Sequence, residues 1–233
     1  MLNDTINLYA GFDAREEIGY HTFCSSVIHG CSIPISITPV GNALLEGVTM
    51  GRRSDESTDF ARVRFLIPWM LGYKGWALFC DGSDMLVKAD LGELWDLRDP
   101  YKAVQVVKHD YRTKHPRKFV GTEMECDNRD YPRKNWSSVM IINCANFSWR
   151  CISPSTINDF SGEVLHQFKF LPEERIGELP DQWNWLVDEY GADRDAKLLH
   201  WTAGIPAFPH YANAPMADEW AAAALLSAHA TTT

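Results

Sequence analysis

The stretch "GWALFCDGSD" (75–84) sets an unbroken apolar run directly before two aspartates. Such a run is typical of a central strand that is covered on both faces of a sheet. "AVQVVKH" (103–109) and "SSVMIINC" (137–144) have the same character, and "INLYAG" (6–11) and "IPISITPV" (33–40) are further β-rich runs. These segments predict the strands of one sheet.

Helical segments separate the predicted strands. "AREEIGYHTFCSSVIHG" (14–30) spaces its apolar residues as a helix does, and "STDFARVRFLIPWMLG" (57–72) reads as a helix that Pro68 kinks or interrupts. Strands that alternate with helices predict an α/β fold with a mostly parallel central sheet flanked by helices. The polar run 112–135 is predicted to be a surface excursion. We expect one domain over 1–213, followed by an alanine-rich helix and a polar tail over 214–233.

Composition narrows the function classes. The formal net charge of −9 argues against a nucleic-acid binder, which needs a basic surface. The N-terminus has no basic region followed by a long apolar stretch, and no segment is long enough to span a membrane, so a cytoplasmic protein is expected. The six cysteines lack the spacing of a zinc site and read as small core residues. Nine tryptophans are compatible with a sugar-binding cleft as well as with core packing.

Asp81 and Asp84 are the first candidate site. In open α/β sheets, ligands bind beyond the carboxyl ends of strands, where these two residues lie. Gly82 and Ser83 between them would allow a tight turn that brings both carboxylates to one side. Two carboxylates at such a position suit Mg²⁺ or Mn²⁺. Taken alone, the pair is more typical of an Asp-Gly turn in which one aspartate caps a helix.

Six segments in order resemble the GT-A-fold glycosyltransferases, in particular glycosyltransferase family 8 and its bacterial relatives. The resemblance covers about residues 6–208. The segments are "LYAGFD", "STDFARVRFLIPWM", "ALFCDGSDMLVKADLGELW", "NWSSVMIINC", "LPDQWNWLV" and "KLLHWTAGIPAF". The fold implied is Rossmann-like, as in nucleotide-diphospho-sugar transferases.

The resemblance also implies a set of site residues. Asp81, Asp84 and His200 would hold the metal, and Asp181 with Gln182 would form the catalytic, acceptor-side pair. The donor nucleotide-sugar would be bound by Gly11, Phe12, Asp13, Arg64, Asp81, Gly82 and Ser83. The cofactors expected are Mn²⁺, or Mg²⁺, and a donor that the resemblance predicts to be a UDP-sugar.

The sequence departs from the family pattern at four points. In the segment that resembles Asn-Ser-Gly, Trp136 stands at the asparagine position and Ser138 at the glycine position, on the acceptor side. The family motif is Asp-x-Asp, whereas Gly82 stands two residues before Asp84 and Asp81 one further. Gly204 follows His200 by four residues instead of three. The lysine that would neutralise the leaving diphosphate is replaced in "GIPAF", so that role would fall to the metal, to Arg64 or to a basic residue from elsewhere.

Each candidate also has a purely structural interpretation. Asp13 could cap the helix at 14–30, and His200 could be a core histidine among aromatic residues. Arg64 could be an ordinary surface arginine, and Asp181 with Gln182 could begin a helix after Pro180.

The sequence predicts a metal-dependent glycosyltransferase of the hexosyltransferase type. It would move a sugar from a nucleotide-diphosphate sugar to a glycan, lipid or small-molecule acceptor, with retention if the resemblance holds in full. The alternatives are a non-catalytic nucleotide- or sugar-binding protein on the same fold and a metal-dependent nucleotidyltransferase or phosphohydrolase. A haloacid-dehalogenase mechanism is excluded, because it requires Asp-x-Asp-Gly-Thr/Ser and Phe79 occupies the position of the first aspartate, the nucleophile.

Overall fold

The computed structural model describes residues 5–49, 51–54 and 56–229. Within these residues the β-strands are β1 (Ile6–Gly11), β2 (Ile35–Val40), β3 (Trp76–Cys80), β4 (Met85–Val87), β5 (Val104–Val106), β6 (Arg117–Lys118), β7 (Cys126–Asp127), β8 (Val139–Asn143), β9 (Ile176–Glu178), β10 (Trp185–Leu186) and β11 (Leu198–His200). The α-helices are α1 (Glu17–Gly30), α2 (Ile67–Met70), α3 (Leu91–Trp95), α4 (Gly162–His166), α5 (Val187–Tyr190) and α6 (Ala217–His229).

The central sheet has six strands in the order β2-β1-β3-β8-β5-β9. β1 pairs in parallel with β2 and β3, β5 pairs in parallel with β9, and β8 runs antiparallel to both of its neighbours. Five of the six strands therefore point the same way, which confirms the predicted α/β architecture with a mostly parallel sheet. The reversal of β8 was not visible in its sequence.

Both faces of the sheet are covered, as the apolar run at 75–80 predicts. Ala77 and Phe79 point into one core cluster, and Leu78 and Cys80 into another on the opposite face. All four are fully buried. Successive residues of a strand face opposite sides, so a strand between two cores must be apolar at every position.

Two small sheets complete the fold. β10, β11 and β4 form a three-stranded sheet, and β6 pairs with β7. The polar run 112–135, predicted to be a surface excursion, holds the second of these sheets and buries Phe119 and Met124. It is therefore packed onto the body of the protein.

The predicted helix over 57–72 is wrong for most of its length. Only the short 3-10 turn Val63–Leu66 and α2 are helical there. Pro68 lies in the first turn of α2, where its missing N–H leaves no helical hydrogen bond unmade, so it helps to begin a helix instead of kinking one.

The C-terminal helix α6 packs against α1. Its Trp220 is buried in a third core cluster together with Leu199 and Trp201 of the β11 region.

Residues 230–233, the predicted polar tail, lie outside the described residues. A domain limit at 213 stays a prediction. No helix in the described ranges has the length and apolar character that crossing a membrane requires.

Candidate functional site

The loop that follows β3 makes a tight turn. The Asp81 amide donates to the Ser138 carbonyl oxygen (2.9 Å), which extends the pairing of β3 with β8 by one residue. Gly82 has φ +74°, a conformation that glycine adopts at no steric cost. The amides of Ser83 and Met85 donate to the carbonyl oxygens of Asp81 (2.8 Å) and Gly82 (3.1 Å). Asp81 and Asp84 thus lie at the two ends of a compact turn.

The small sheet brings His200 to this turn. β11 runs antiparallel to β4 and pairs His200 with Met85, and the Trp201 amide donates to the Asp84 carbonyl oxygen (2.9 Å). His200 Nε2 lies 3.2 Å from Asp84 Oδ2. One ligand atom each of Asp81, Asp84 and His200 lies within 4.8 Å of the other two. The three residues expected to hold a metal are therefore together.

Asn184 fixes the orientation of the His200 ring. Asn184 Nδ2 donates to Ser138 Oγ (2.8 Å), so its Oδ1 is free to accept from His200 Nδ1–H (2.9 Å). Nδ1 then carries a proton, and Nε2 faces Asp84. Such a bond on the far nitrogen sets the tautomer of a metal-binding histidine. Asn184 is not among the residues predicted from the sequence, where its only signal is a polar residue within the aromatic "WNW".

The three side chains fit a divalent cation. Asp84 Oδ1 is buried and has no hydrogen-bond partner among the described residues. Burial lowers the pKa of His200, but the carboxylates of Asp84 and Asp81 outweigh it and leave that pKa above its ordinary value. The site therefore attracts positive charge. Two carboxylates and an imidazole suit Mn²⁺ or Mg²⁺, and the imidazole favours Mn²⁺.

Arg64 is buried beside the triad. It contacts the Asp81 carboxylate, and its Nη1 also donates to the Ser137 carbonyl oxygen (2.9 Å). Its guanidinium lies over the rings of Phe60 and Phe79, 5.2 and 4.9 Å from their centroids. Burial raises the pKa of Asp81 to about 6. The charge of Arg64 acts to lower this pKa but does not outweigh the burial. Arg64 is thus a fixed cation at the edge of the site and not a surface arginine.

A cavity of about 830 Å³ opens beside these residues. Arg64, Asp81, Asp84 and His200 line it, together with parts of the segments 54–62, 118–138 and 162–167. A volume of this size accommodates a ligand of drug or cofactor dimensions.

Lys118 supplies a basic side chain to the cavity wall. It belongs to β6, and its Nζ donates to Ser57 Oγ (2.9 Å). Its charge acts to lower the pKa of Asp81, which places it within electrostatic reach of the triad. A basic residue from elsewhere is one of the expected replacements for the missing C-terminal lysine, and Lys118 is such a residue at the cavity wall.

The other predicted donor residues do not line the cavity. Gly11, Phe12, Asp13, Gly82 and Ser83 are not among the cavity-lining residues of the described chain. Ser83 Oγ donates to the Gly11 carbonyl oxygen (3.2 Å), so the end of β1 supports the turn that carries the aspartates.

Asp13 has a structural role. It caps the 3-10 turn Ala14–Glu16 that leads into α1. Arg15 Nη2 lies 2.6 Å from one carboxylate oxygen, and the Asp59 amide donates to the same atom (2.9 Å). Burial alone would raise the pKa of Asp13, but its bonds to Arg15 and Asp59 prevail and lower it. Both oxygens are thus engaged, and a contact of Asp13 with the nucleoside stays a prediction.

Asp181 and Gln182 lie in the 3-10 turn Asp181–Asn184, directly after Pro180. Asp181 is exposed, and neither residue is among those that line the cavity. The same turn contains Asn184, which bonds to His200. The segment therefore does contribute a residue to the site, but this residue is Asn184 and not Asp181 or Gln182. The acceptor-side role of Asp181 and Gln182 stays a prediction.

No family model matches the sequence. Protein CDI of Arabidopsis thaliana is 37% identical to this chain in an alignment 221 residues long, which covers 91% of this chain and 83% of CDI. The chain belongs to the CDI family.

Solved glycosyltransferase structures share the fold of this CDI-family chain. GlyE of Streptococcus pneumoniae TIGR4 has a TM-score of 0.63 at 15% identity, over 96% of this chain and 61% of GlyE. The bifunctional glycosyltransferase WbbM has a TM-score of 0.60 at 16% identity, over 96% of this chain and 50% of WbbM. The galactosyltransferase LgtC, solved with donor and acceptor sugar analogues, has a TM-score of 0.59 at 14% identity, over 98% of this chain and 97% of LgtC.

These likenesses confirm the GT-A fold. The chain spans about three fifths of the GlyE chain and half of the WbbM chain. The resemblance to family 8 in particular stays a prediction.

His109 lies at the end of another apolar strand and faces a second cavity, of about 450 Å³. Its Nδ1 bonds to the Tyr190 hydroxyl (3.0 Å), and its Nε2 is buried without a partner among the described residues. Burial, assisted by the charge of His200, lowers the pKa of His109 to about 3.

His109 should make this CDI-family protein sensitive to acid. The unfolded chain binds a proton at a pKa of about 6.5, whereas the folded side chain stays neutral down to about 3, so stability is lost as the pH falls between these values. At pH 4 the loss is of the order of 3 kcal/mol. Burial lowers the pKa of His166 to about 3 as well, so the difference between the wild type and His109→Asn in urea unfolding from pH 7 to pH 4 measures the contribution of His109. In His109→Asn the free energy of unfolding should fall less steeply between pH 7 and pH 4 than in the wild type. In the exposed control His21→Asn it should fall as in the wild type. The assignment is wrong if the free energy of unfolding of His109→Asn depends on pH as that of the wild type does.

Proposed function

We propose that this protein is a metal-dependent glycosyltransferase that moves a sugar from a nucleotide-diphosphate sugar, most suitably a UDP-sugar, to an acceptor. The observation that carries the proposal is the convergence of Asp81, Asp84 and His200 within 4.8 Å at the wall of the large cavity. This convergence lies just beyond the end of β3, where ligands of α/β sheets collect. The GT-A fold, which the chain shares with the glycosyltransferases GlyE, WbbM and LgtC, supports the same function.

Each residue of the site has a separate role in this proposed reaction. When bound, a divalent cation neutralises the diphosphate and assists its departure. Asp81, Asp84 and His200 hold that cation, and Asn184 keeps Nε2 of His200 available by holding the proton on Nδ1. Arg64 and Lys118 add positive charge where a diphosphate would lie, and a planar guanidinium suits phosphate oxygens.

We also propose the finer features that the sequence predicts. We assign the metal as Mn²⁺, Asp181 and Gln182 as acceptor-side residues, and retention of configuration as the outcome. A cytoplasmic setting belongs to the same proposal. The acceptor class stays a glycan, a lipid or a small molecule.

Thermal unfolding in the presence of Mn²⁺ tests the donor class. The wild-type protein is heated with a panel of nucleoside diphosphates and their sugars, each with Mn²⁺ and with EDTA. We expect UDP and UDP-sugars to raise the midpoint only when Mn²⁺ is present, since a ligand that binds only the folded state stabilises it. If no nucleotide shifts the midpoint, the donor assignment fails. Protection without a transferred sugar in any acceptor screen would favour a non-catalytic binding protein.

A further inference from the structure

Gln167 is a buried polar residue at the wall of the large cavity. It directly follows α4, is 5% exposed and lines the cavity. Its hydrogen bonds in the described chain are made by its backbone: the amide donates to the Glu163 carbonyl oxygen (3.2 Å), and the carbonyl oxygen accepts from Arg133 Nη1 (2.8 Å). Buried polar side chains are normally hydrogen-bonded. The carboxamide of Gln167 therefore offers two donors and an acceptor to a molecule that fills the cavity.

His166 stands next to Gln167 and lines the same cavity. Its Nδ1 bonds to Ser137 Oγ (2.7 Å), which is the one hydrogen bond that the ring makes within the described residues. The Phe65 ring packs against it edge to face, with the ring centroids 5.3 Å apart. These two contacts hold the imidazole in place, and Nε2 is left for a ligand.

Ser137 connects this wall to the metal site. Its carbonyl oxygen accepts from Arg64 Nη1 (2.9 Å), and Arg64 also contacts the Asp81 carboxylate. Arg64 is thus the one residue between Ser137 and a ligand of the metal triad. In a nucleotide-diphosphate sugar, the sugar is bonded directly to the diphosphate. A donor with its diphosphate at the metal and Arg64 would therefore place its sugar within reach of Ser137, His166 and Gln167.

The charge state of His166 suits hydroxyl groups. Burial lowers the pKa of His166 to about 3, and the charges of Arg64 and Lys118 lower it further. The imidazole is therefore neutral near pH 7, with one nitrogen that donates and one that accepts. The Ser137 hydroxyl and the Gln167 carboxamide are neutral as well. Neutral groups that both donate and accept match the hydroxyl groups of a sugar, which do the same.

We propose that Ser137, His166 and Gln167 form a subsite that binds hydroxyl groups of the donor's sugar and so selects among donors. The inference rests on the proposed function, in which the diphosphate lies at the metal triad and Arg64. His166 and Gln167 contact the sugar, and Ser137 holds the His166 ring. A sugar that lacks the matching hydroxyl group leaves these groups unpaired, which is how a polar pocket rejects an analogue.

His166→Asn tests the subsite. Asparagine is long enough to keep a bond to Ser137 but has no group at the position of Nε2. Titration calorimetry on the Mn²⁺-loaded protein measures the affinities for UDP, UDP-glucose, UDP-galactose and UDP-N-acetylglucosamine. We expect the variant to bind UDP as the wild type does and to bind the preferred UDP-sugar ~10-fold more weakly, as the loss of one buried hydrogen bond requires. A purely structural role would weaken the binding of UDP and of the UDP-sugar alike.

Two further variants sharpen the test. Gln167→Leu keeps the approximate size of the side chain and removes its amide. We expect the same selective loss of UDP-sugar affinity, and this variant covers the case in which His166→Asn does not fold. His166→Gln places an amide nitrogen near the position of Nε2 and should recover most of the affinity.

His21→Asn is the matched control, the same substitution at an exposed histidine that is not among the cavity-lining residues of the described chain. It should leave every affinity unchanged. Equal UDP-sugar affinities in the wild type, His166→Asn and Gln167→Leu would overturn the subsite and leave the donor assignment intact. If the wild type binds none of these UDP-sugars, the donor assignment fails and the subsite fails with it.

Discussion

Asp84→Asn is expected to weaken Mn²⁺ binding by more than ~100-fold, because even indirect partners of metal ligands contribute ~10–100-fold. Asp84 faces His200 Nε2 at 3.2 Å through one oxygen, and its other oxygen is buried without a partner in the described chain. The amide keeps the shape of the side chain but removes the charge that a cation needs. Calorimetric titration of Mn²⁺ into the variant and the wild type measures the loss.

Asp127→Asn is the control for this experiment. Asp127 also lines the large cavity, but its side chain is 56% exposed and pairs with Arg117 and Arg129. Removing its charge should leave Mn²⁺ affinity within about twofold of the wild type, since exposed charges are screened by solvent. Wild-type affinity in Asp84→Asn would show that the ligand set is wrong.

Gly19→Ala is expected to lower the free energy of unfolding by about 2–4 kcal/mol, at or beyond the upper part of the range for overpacking. The new methyl group would lie 1.9 Å from the Ser83 carbonyl oxygen, which is backbone and cannot rotate away. Either α1 or the turn between Asp81 and Asp84 must move. We therefore expect weaker Mn²⁺ binding together with the loss of stability.

Gly30→Ala is the matched control within the same helix. A methyl group at Gly30 would meet only the Ala89 carbonyl oxygen, at an ordinary 3.8 Å. Alanine is the better helix former, so this variant should be as stable as the wild type or slightly more so. Urea unfolding of the three proteins provides the comparison. If Gly19→Ala and Gly30→Ala have equal stability, α1 does not seat against the metal-site turn as described.

The fold was accessible from sequence where burial on both sides forces a recognisable pattern. β3 must be apolar at every position because it lies between two cores, and an aspartate directly after it marks the strand end. The antiparallel direction of β8, in contrast, could not be predicted from its sequence. A strand buried on both faces has the same composition whether it runs parallel or antiparallel to its neighbours.

The sequence predicted the metal ligands of the candidate site, but not the residues around them such as Asn184 and Lys118. Asp84 and His200 are brought together by the pairing of two three-residue strands, β4 and β11, which are far apart in sequence. Strands that short carry no periodicity from which their pairing could be inferred. Asn184 and Lys118 owe their place to the same tertiary arrangement, so neither could be distinguished from ordinary polar residues.

Asp13 shows how a local role can account for a residue that a resemblance assigns to a ligand. Its position directly before a helix predicts capping, and the structure gives both of its oxygens protein partners.

A crystal structure of the wild-type protein with Mn²⁺ and UDP, with diffraction recorded at the manganese absorption edge, would locate both the metal and the nucleotide. We expect one strong anomalous peak in contact with Asp81, Asp84 and His200, and the nucleotide in the adjoining cavity with its diphosphate near Arg64 and Lys118. An anomalous peak at another site, or a nucleotide bound away from these residues, would contradict the assigned site.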